Sequence, residues 1–206
     1  MGFRNRREAG AVLADLLSAY ANRPDAIALG LVRGGVPVAA EVATRLSIPL
    51  DVLVVRKLGV PWAPEVAFGA LGPGGVQVLN PEIAGRLDEE EIAMVVRHES
   101  AELRRRERLF RLGRPPLTLD GRTALVIDDG LATGATADAA VAVARSLDAA
   151  RVILAAPVGA TAAVERLTRS ADEVVCPITD PHFGAVSRYY DDFRQLVDAD
   201  VTRLLA

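Results

Sequence analysis

The stretch from Thr123 to Thr136 limits what this chain can fold into more than any other. It begins with an apolar run, Ala-Leu-Val-Ile, which is typical of a strand buried on both faces. Two adjacent acids, Asp128 and Asp129, end the run, and a loop of small and hydroxylated residues follows. Residues 137–147 then predict a helix. Because a helix N-terminus presents unpaired amide donors and a partial positive charge, this order predicts a site for a phosphorylated sugar.

The loop residues suit close contact with such a ligand. Gly130 and Gly134 permit positive φ and let the backbone approach the ligand closely. The hydroxyls of Thr133 and Thr136 add hydrogen-bond donors without bulk. Adjacent carboxylates repel each other at a strand end, but vicinal sugar hydroxyls, beside a divalent metal, would give both of them partners. The alternative is a solvated Asp-Asp-Gly turn with a threonine cap.

Length and composition favour a single domain over residues 1–206. Apolar residues make up 50% of the chain and charged residues 25%, as in ordinary globular proteins. The net charge of −3 disfavours nucleic-acid binding. A single cysteine, Cys176, excludes an internal disulfide and suits a reducing cytoplasm. No apolar run approaches the length of a membrane span, so we expect a soluble cytoplasmic protein.

Several common functional motifs are absent from the sequence. No Gly-x-x-x-x-Gly-Lys-Ser/Thr run is present, which excludes a P-loop nucleoside triphosphatase, and no Gly-x-Gly-x-x-Gly pattern follows the first predicted strand. No cluster of cysteines and histidines offers a zinc site.

A second loop has the same strand, glycine-rich turn and helix order. The apolar strand predicted at Ala26–Leu31 runs into Arg33, Gly34 and Gly35, and Pro37 is placed for the start of the next helix. The cation inside the turn suits a second anion. Alone this short motif is weak evidence, but beside the first loop it predicts a second phosphate contact.

The next predicted strand also ends in basic residues. The strand predicted at Leu50–Val55 ends in Arg56 and Lys57, and ligands of open parallel sheets bind at the carboxyl ends of the strands. We assign both side chains to phosphates, with Lys57 as the stronger candidate. The alternative is a solvated strand end.

Apolar strands alternate with helices, which predicts an α/β fold with a mostly parallel sheet covered by helices on both faces. Between residues 58 and 114 we expect an inserted hairpin, with Glu65 and Trp62 in it, and a long helix whose surface, including His98, is solvated. Near the N-terminus, Arg4, Arg6 and Arg7 predict a solvated helix start, or a contact with a phosphate or a partner subunit. The predicted elements not yet named are the hairpin strands Val66–Leu71 and Val76–Leu79, the helix Asp88–Leu112, the strand Arg151–Pro157, the helix Ala160–Ser170, the strand Glu173–Cys176 and the helix 198–205.

The stretch at residues 123–136 closely resembles the signature of the type I phosphoribosyltransferases, an apolar strand, two acids, a few variable residues and Thr-Gly-x-Thr/Ser. The resemblance extends over residues 24–176, and it is greatest to small bacterial phosphoribosyltransferases that begin with a similar arginine-rich helix. It implies a site for phosphoribosyl pyrophosphate (PRPP) with Mg²⁺. The 5′-phosphate would lie on Ala132, Thr133, Gly134, Ala135 and Thr136.

The same resemblance assigns the remaining PRPP contacts. Asp128 and Asp129 would hold the ribose hydroxyls and, directly or through those hydroxyls or water, the metal. The pyrophosphate would lie on Arg33, Gly34 and Gly35, often through a strained or cis peptide, and on Arg56 and Lys57. The catalytic residues would thus be Asp128, Asp129 and Lys57, under a hinged flap formed by the inserted hairpin.

The resemblance also implies a C-terminal hood, at residues 177–206, that contacts a nucleobase. The chain is only 4% aromatic, yet aromatic side chains are concentrated in this segment. Phe183, Tyr189 and Tyr190 are the candidates for stacking on the base, and Asp180 is a candidate polar contact. The alternative for each is a small apolar cluster under the C-terminal helix.

The implied reaction is transfer of the phosphoribosyl group of PRPP to a nitrogenous base, with release of pyrophosphate, by a homodimer. Ala132 stands where 6-oxopurine enzymes carry an aspartate that acts as general base, which disfavours hypoxanthine and guanine. The main alternative is a regulator that binds PRPP without turnover, which the acidic balance and single-domain length disfavour. A sugar-phosphate-binding subunit of a larger assembly is a third possibility.

Overall fold

The central element of the computed structural model, which describes residues 2–111 and 113–206, is a five-stranded parallel sheet. Its strands follow the order β2-β1-β6-β7-β9. The mostly parallel α/β fold predicted above is therefore confirmed. The strands are β1 (Ala26–Leu31), β2 (Leu50–Leu53), β6 (Thr123–Ile127), β7 (Arg151–Ala155) and β9 (Glu173–Val175).

Apart from Thr123 and Arg151 at their starts, the three middle strands β1, β6 and β7 are apolar, as expected for strands with both faces covered. Alternate residues of β6 enter different cores: Ala124 and Val126 pack on one side, Leu125 and Ile127 on the other. The helices α1 (Arg6–Leu16) and α2 (Gly35–Leu46) cover the second side, and α5 (Ala135–Ser146) and α6 (Thr161–Leu167) the first. Burial of this apolar surface is the main stabilising contribution to such a fold.

The order of the strands reverses direction between β1 and β6. From β1 the chain crosses over through α2 to β2 at one side, and from β6 it crosses through α5 to β7 at the other. The carboxyl ends of β1 and β6 therefore border a crevice from which the two connections diverge. In open parallel sheets this topological switch point is the usual ligand position.

A smaller antiparallel sheet follows β2, in the order β3-β4-β5. Its strands are β3 (Arg56–Val60), β4 (Ala63–Leu71) and β5 (Gln77–Leu79). The hairpin predicted between β4 and β5 is confirmed. Arg56 and Lys57, which were expected to end the preceding strand, instead begin β3, because the parallel strand ends at Leu53 and the chain then turns into this second sheet.

The short helix α3 (Pro81–Ala84) leads into the long helix α4 (Glu89–Arg111). Reciprocal bonds form a capping box at its start: Asp88 Oδ1 accepts from the Glu91 N–H at 2.8 Å, and Glu91 Oε2 accepts from the Asp88 N–H at 3.0 Å. The predicted span ended at Leu112, which lies outside the described residues.

The chain after β7 forms more and shorter elements than predicted. The strand expected at Arg151–Pro157 ends at Ala155, and Val158–Ala160 forms a separate strand, β8, which pairs in parallel with β10 (Ile178–Asp180). A 3-10 turn at Val186–Tyr189 and helix α7 (Asp198–Leu205) complete the C-terminal segment. No helix in the described parts of the chain is long and apolar enough to cross a membrane.

Phe110 attaches α4 to the rest of the molecule. Its side chain is only 2% exposed and packs in one apolar cluster with residues of β3 and α7. We expect Phe110→Ala to lower the free energy of unfolding by about 3–5 kcal/mol, since the cavity adds to the lost burial. Urea denaturation measures this, and Met94→Ala on the same helix, where the side chain is 51% exposed, is the control. Equal losses in the two variants would contradict this packing.

Candidate functional site

Two loops meet at the crevice between β1 and β6. A Cβ added to Gly34 would clash with the carboxylate of Asp129, and one added to Gly35 would clash with the carbonyl of Ile127. The register explains this approach, since Gly30 near the end of β1 pairs with Ile127 at the end of β6. Glycine is therefore required at 34 and 35 by the contact between the loops, whatever ligand they bind.

The loop after the acidic pair leads directly into α5. Gly134 precedes this helix with φ of 70°, as expected, and its neighbour Thr133 accepts a hydrogen bond from Arg166 at its carbonyl. Gly130 does not adopt positive φ. A side chain there would instead press on Val186 of the C-terminal segment, so that close packing explains this glycine.

The loop after β1 contains a cis peptide bond between Val32 and Arg33, and α2 begins at Gly35. The Arg33 guanidinium lies 3.4 Å from Asp198 at the start of α7, and both side chains are partly exposed. The N-termini of α2 and α5 thus lie at this edge of the sheet, and a helix N-terminus offers backbone amide donors to an anion.

A cavity of about 770 Å³ lies beside these loops. Arg56 and Lys57 line it together with Thr136, which lies in the first turn of α5. Lys57 Nζ is 3.6 Å from Glu65 Oε2 in β4, and Arg56 Nε donates to Glu99 Oε2 at 2.6 Å. This volume falls in the range of small-molecule sites, and the structure brings the two predicted basic residues and the predicted phosphate loop to its wall.

Helix α4 forms the opposite wall, which the sequence interpretation missed. His98, Glu99 and Arg106 line the cavity, although His98 was expected on a solvated surface. A recess of about 250 Å³ next to it is lined by Arg33, Arg105 and Arg106. The spacing of residues 95, 98, 99 and 106 on one helical face was a usable signal, but the interleaved acids and arginines of this helix concealed it.

The acidic pair is electrostatically costly in the protein alone. Asp129 is buried and Asp128 is partly buried. Burial raises the pKa of Asp128 above its usual range, and the neighbouring Asp129 charge raises it further. Burial also raises the pKa of Asp129, against the opposing effect of its hydrogen bond with Arg6. Perturbed carboxylates of this kind are common at ligand sites.

The role of Arg6 was also missed by the sequence interpretation. It was expected in a solvated helix start or in contact with a phosphate or partner, yet it is 9% exposed and its Nε donates to Asp129 Oδ2 at 2.8 Å. No local pattern distinguishes it from Arg4 and Arg7, which are both exposed. The partner is 123 positions away in the chain.

The predicted base contacts divide into two groups. Phe183 and Tyr189 stack with their ring centroids 5.1 Å apart, and the Tyr189 hydroxyl donates to Asp180 at 2.5 Å. Tyr190 is separate: it is 7% exposed, packs against Phe3 and donates to the Asp129 carbonyl at 2.7 Å. Its burial counts against base stacking by Tyr190, and the contacts of the other three remain predictions.

The residues of the site fit a metal only in part. Among the described residues, no group of three or more His, Cys, Asp or Glu side chains could hold an ion. Mg²⁺ is usually bound by one or two carboxylates together with substrate phosphates and waters. Asp128 has the right chemistry for such a shared site, in which the ligand itself would supply most of the oxygens.

The cost of the acidic pair gives a pH-dependent prediction. Because Asp128 has a higher pKa in the folded than in the unfolded protein, stability falls as pH rises above the usual aspartate range. We expect Asp128→Asn to stabilise the ligand-free protein by about 1 kcal/mol or more at pH 8, and by less at pH 5. Urea denaturation at the two pH values measures the gain, with exposed Asp120→Asn as control. A gain that does not depend on pH would contradict the raised pKa as its cause.

The comparisons with known proteins agree with this geometry. The model of the phosphoribosyl transferase domain matches residues 5–194. Proteins of two strains of Mycobacterium tuberculosis, named putative phosphoribosyl transferases, are 49% identical over 205 residues, which is 98% of this chain and 46% of each relative. The chain thus spans about half the length of these curated relatives.

A solved structure is similar over the whole chain. The crystal structure of TT1426 from Thermus thermophilus has a TM-score of 0.93 and 43% sequence identity, and the alignment covers 100% of this chain and 98% of that one. Both the sequence relatives and the fold therefore support the same assignment, and the chain belongs to the phosphoribosyl transferase family.

Proposed function

We propose that this protein transfers the phosphoribosyl group of PRPP to a nitrogenous base and releases pyrophosphate. The observation that carries the proposal is the meeting of two helix-starting loops and an acidic pair at the topological switch point of the sheet, beside a basic cavity. We infer further that residues 1–206 act as one domain, in the cytoplasm and as a homodimer.

The 5′-phosphate of PRPP would lie at the start of α5. The amides of residues 132–136 and the hydroxyls of Thr133 and Thr136 are the donors proposed for it, and the positive end of the helix dipole favours its charge. The carboxylates at the crevice would accept hydrogen bonds from the ribose hydroxyls. These hydroxyls are neutral donors, so the carboxylates would keep their charge. Both contacts would orient the sugar before reaction.

The pyrophosphate would lie toward the loop at Arg33, Gly34 and Gly35 and the basic cavity wall. Its negative charge grows as the bond to the sugar breaks, so cations placed in advance would stabilise the transition state. Arg56 and Lys57 now pair with Glu99 and Glu65, and these pairs would open to the leaving group. Mg²⁺, when bound with the substrate, would neutralise part of the same charge.

No single acceptor base is proposed. The family resemblance associates an aspartate at position 132 with 6-oxopurine substrates, and this chain has Ala132. We therefore disfavour hypoxanthine and guanine. Asp180, Phe183 and Tyr189 are proposed to contact the base from the C-terminal hood.

A panel assay tests the function. The protein is incubated with PRPP, Mg²⁺ and single purine or pyrimidine bases, and pyrophosphate release is measured. We expect release that depends on one base or a few, and a strong decrease in the Lys57→Met variant. Tight binding of PRPP with no base-dependent release would favour the second candidate, a PRPP-binding regulator, for which the acidic balance of the chain is unfavourable.

Gly134 offers a direct test of the phosphate loop. Gly134 and Gly121 have φ of 70° and 67°, so Ala at either position should cost about 1–2 kcal/mol in backbone strain, and at Gly134 the Cβ would also lie 2.9 Å from the Leu167 side chain. Only Gly134 adjoins the proposed phosphate. We expect Gly134→Ala to weaken PRPP binding in calorimetry by tenfold or more, while Gly121→Ala changes it by less than about twofold. If the two variants weaken PRPP binding equally, the proposal that this loop binds the phosphate is wrong.

A further inference from the structure

A cluster of arginines lies where helix α4 passes the loop after β1. Arg33 of that loop and Arg105 and Arg106 of α4 line the same recess of about 250 Å³. Phe110 of α4 and Asp198 at the start of α7 also line it. A guanidinium group is a planar set of donors that matches the oxygens of a phosphate in pairs. Three such groups around so small a space indicate a site for an anion with several oxygens.

The ion pairs of the recess leave an excess of positive charge. Arg105 Nε and Arg106 Nε both donate to the carboxylate of Glu102, at 2.8 and 2.7 Å. These hydrogen bonds lower the pKa of Glu102 to about 2, so that it is ionised at neutral pH. Arg33 has a longer contact, 3.4 Å, with Asp198. Three cations therefore share two carboxylates, and an anion in the recess would supply the missing negative charge.

The basic residues of the neighbouring cavity differ in this respect. Arg56 pairs with Glu99 and Lys57 with Glu65, so each of these cations already has a carboxylate of its own. A phosphate group would have to replace a carboxylate at each of them. In the recess, a guanidinium has several N–H donors, and those that the two carboxylates do not use are available to a ligand.

The recess adjoins the main cavity. Val32 and Arg106 line both spaces, and Thr136 of the proposed 5′-phosphate site lines the main cavity. A ligand in the main cavity can therefore contact Arg106, and a charged group at its end can extend into the recess. PRPP has such a group, its pyrophosphate, at the end of the sugar opposite to the 5′-phosphate. Ribose 5-phosphate lacks it.

We propose that the pyrophosphate group of PRPP extends into this recess, where Arg105 and Arg106 of α4 bind it together with Arg33. The inference rests on the proposed function and deepens it, because it adds two residues of α4 to those that the family resemblance assigns to pyrophosphate. Phe110, which is only 2% exposed, packs the same part of the helix into the core. The two arginines are therefore held on a fixed helical turn before the ligand arrives.

Calorimetry with PRPP, pyrophosphate and ribose 5-phosphate, each in the presence of Mg²⁺, tests the assignment. We expect Arg106→Met to weaken the binding of PRPP and of pyrophosphate by about tenfold or more, and Arg105→Met to weaken both by about threefold or more. Either variant leaves Glu102 with one arginine partner. Binding of ribose 5-phosphate should change by less than about twofold, which also shows that the variants are folded.

Arg104→Met is the matched control. Arg104 belongs to the same helix and is exposed, but it lines neither the cavity nor the recess. The variant removes the same charge from α4, so it corrects for a general effect of the net charge on anion binding. All three affinities should stay within about twofold of those of the unaltered protein.

Glu102→Gln should have the opposite effect. Glutamine keeps the size of the side chain and an acceptor for Arg105 and Arg106, but it removes a negative charge that competes with the ligand. We expect this variant to bind pyrophosphate and PRPP about threefold more tightly and ribose 5-phosphate with unchanged affinity. Arginines that served only to stabilise α4 would not produce such a gain.

The results that would overturn the inference are distinct from those that would overturn the proposed function. If the unaltered protein binds PRPP, but the Arg105 and Arg106 variants bind it as well as the Arg104 control does, α4 does not hold the pyrophosphate. The same follows if these variants weaken ribose 5-phosphate as much as pyrophosphate, or if Glu102→Gln gives no gain. If the unaltered protein binds neither PRPP nor pyrophosphate, the proposed function itself fails.

Discussion

The parallel pairing of β1 with β6 is the constraint on which the site depends. Five residues of each strand are in register, from Ala26 beside Thr123 to Gly30 beside Ile127. This register brings two loops, each leading into a helix, to the same edge of the sheet. The helices then leave toward opposite faces, and the acidic pair lies in the opening between them. Neither loop alone would form the proposed site for two phosphate groups.

A single contact from α1 reduces the electrostatic cost of the acidic pair. Carboxylates that are adjacent and removed from water destabilise the folded state, and the protein compensates only one of them, through Arg6. The other keeps a raised pKa and a partly open surface. An uncompensated charge at a switch point is typical of a site whose ligand provides the missing partners. Stability therefore favours a neutral side chain at Asp128, whereas the proposed binding of the ribose would use its carboxylate.

The inserted segment shows how a helix can be predicted correctly and its role missed. The charge gradient of α4 is a local feature, and it was sufficient to predict the helix to within a residue at its start. Which face meets the cavity depends on how β3 and α7 pack against the helix. Arg56 and Lys57 illustrate the same limit, because the basic pair was recognised but the turn into a second sheet was not.

By itself the sequence determined the alternation of strands and helices, the phosphate-loop motif and the family resemblance, because these follow from local periodicity, glycine placement and a short contiguous pattern. Only the tertiary structure decided that Arg6 pairs with Asp129, that α4 closes the cavity and that Tyr190 is buried beneath the acidic pair. These contacts join residues from distant parts of the chain. Their geometry depends on strand register and helix packing, which no local pattern encodes.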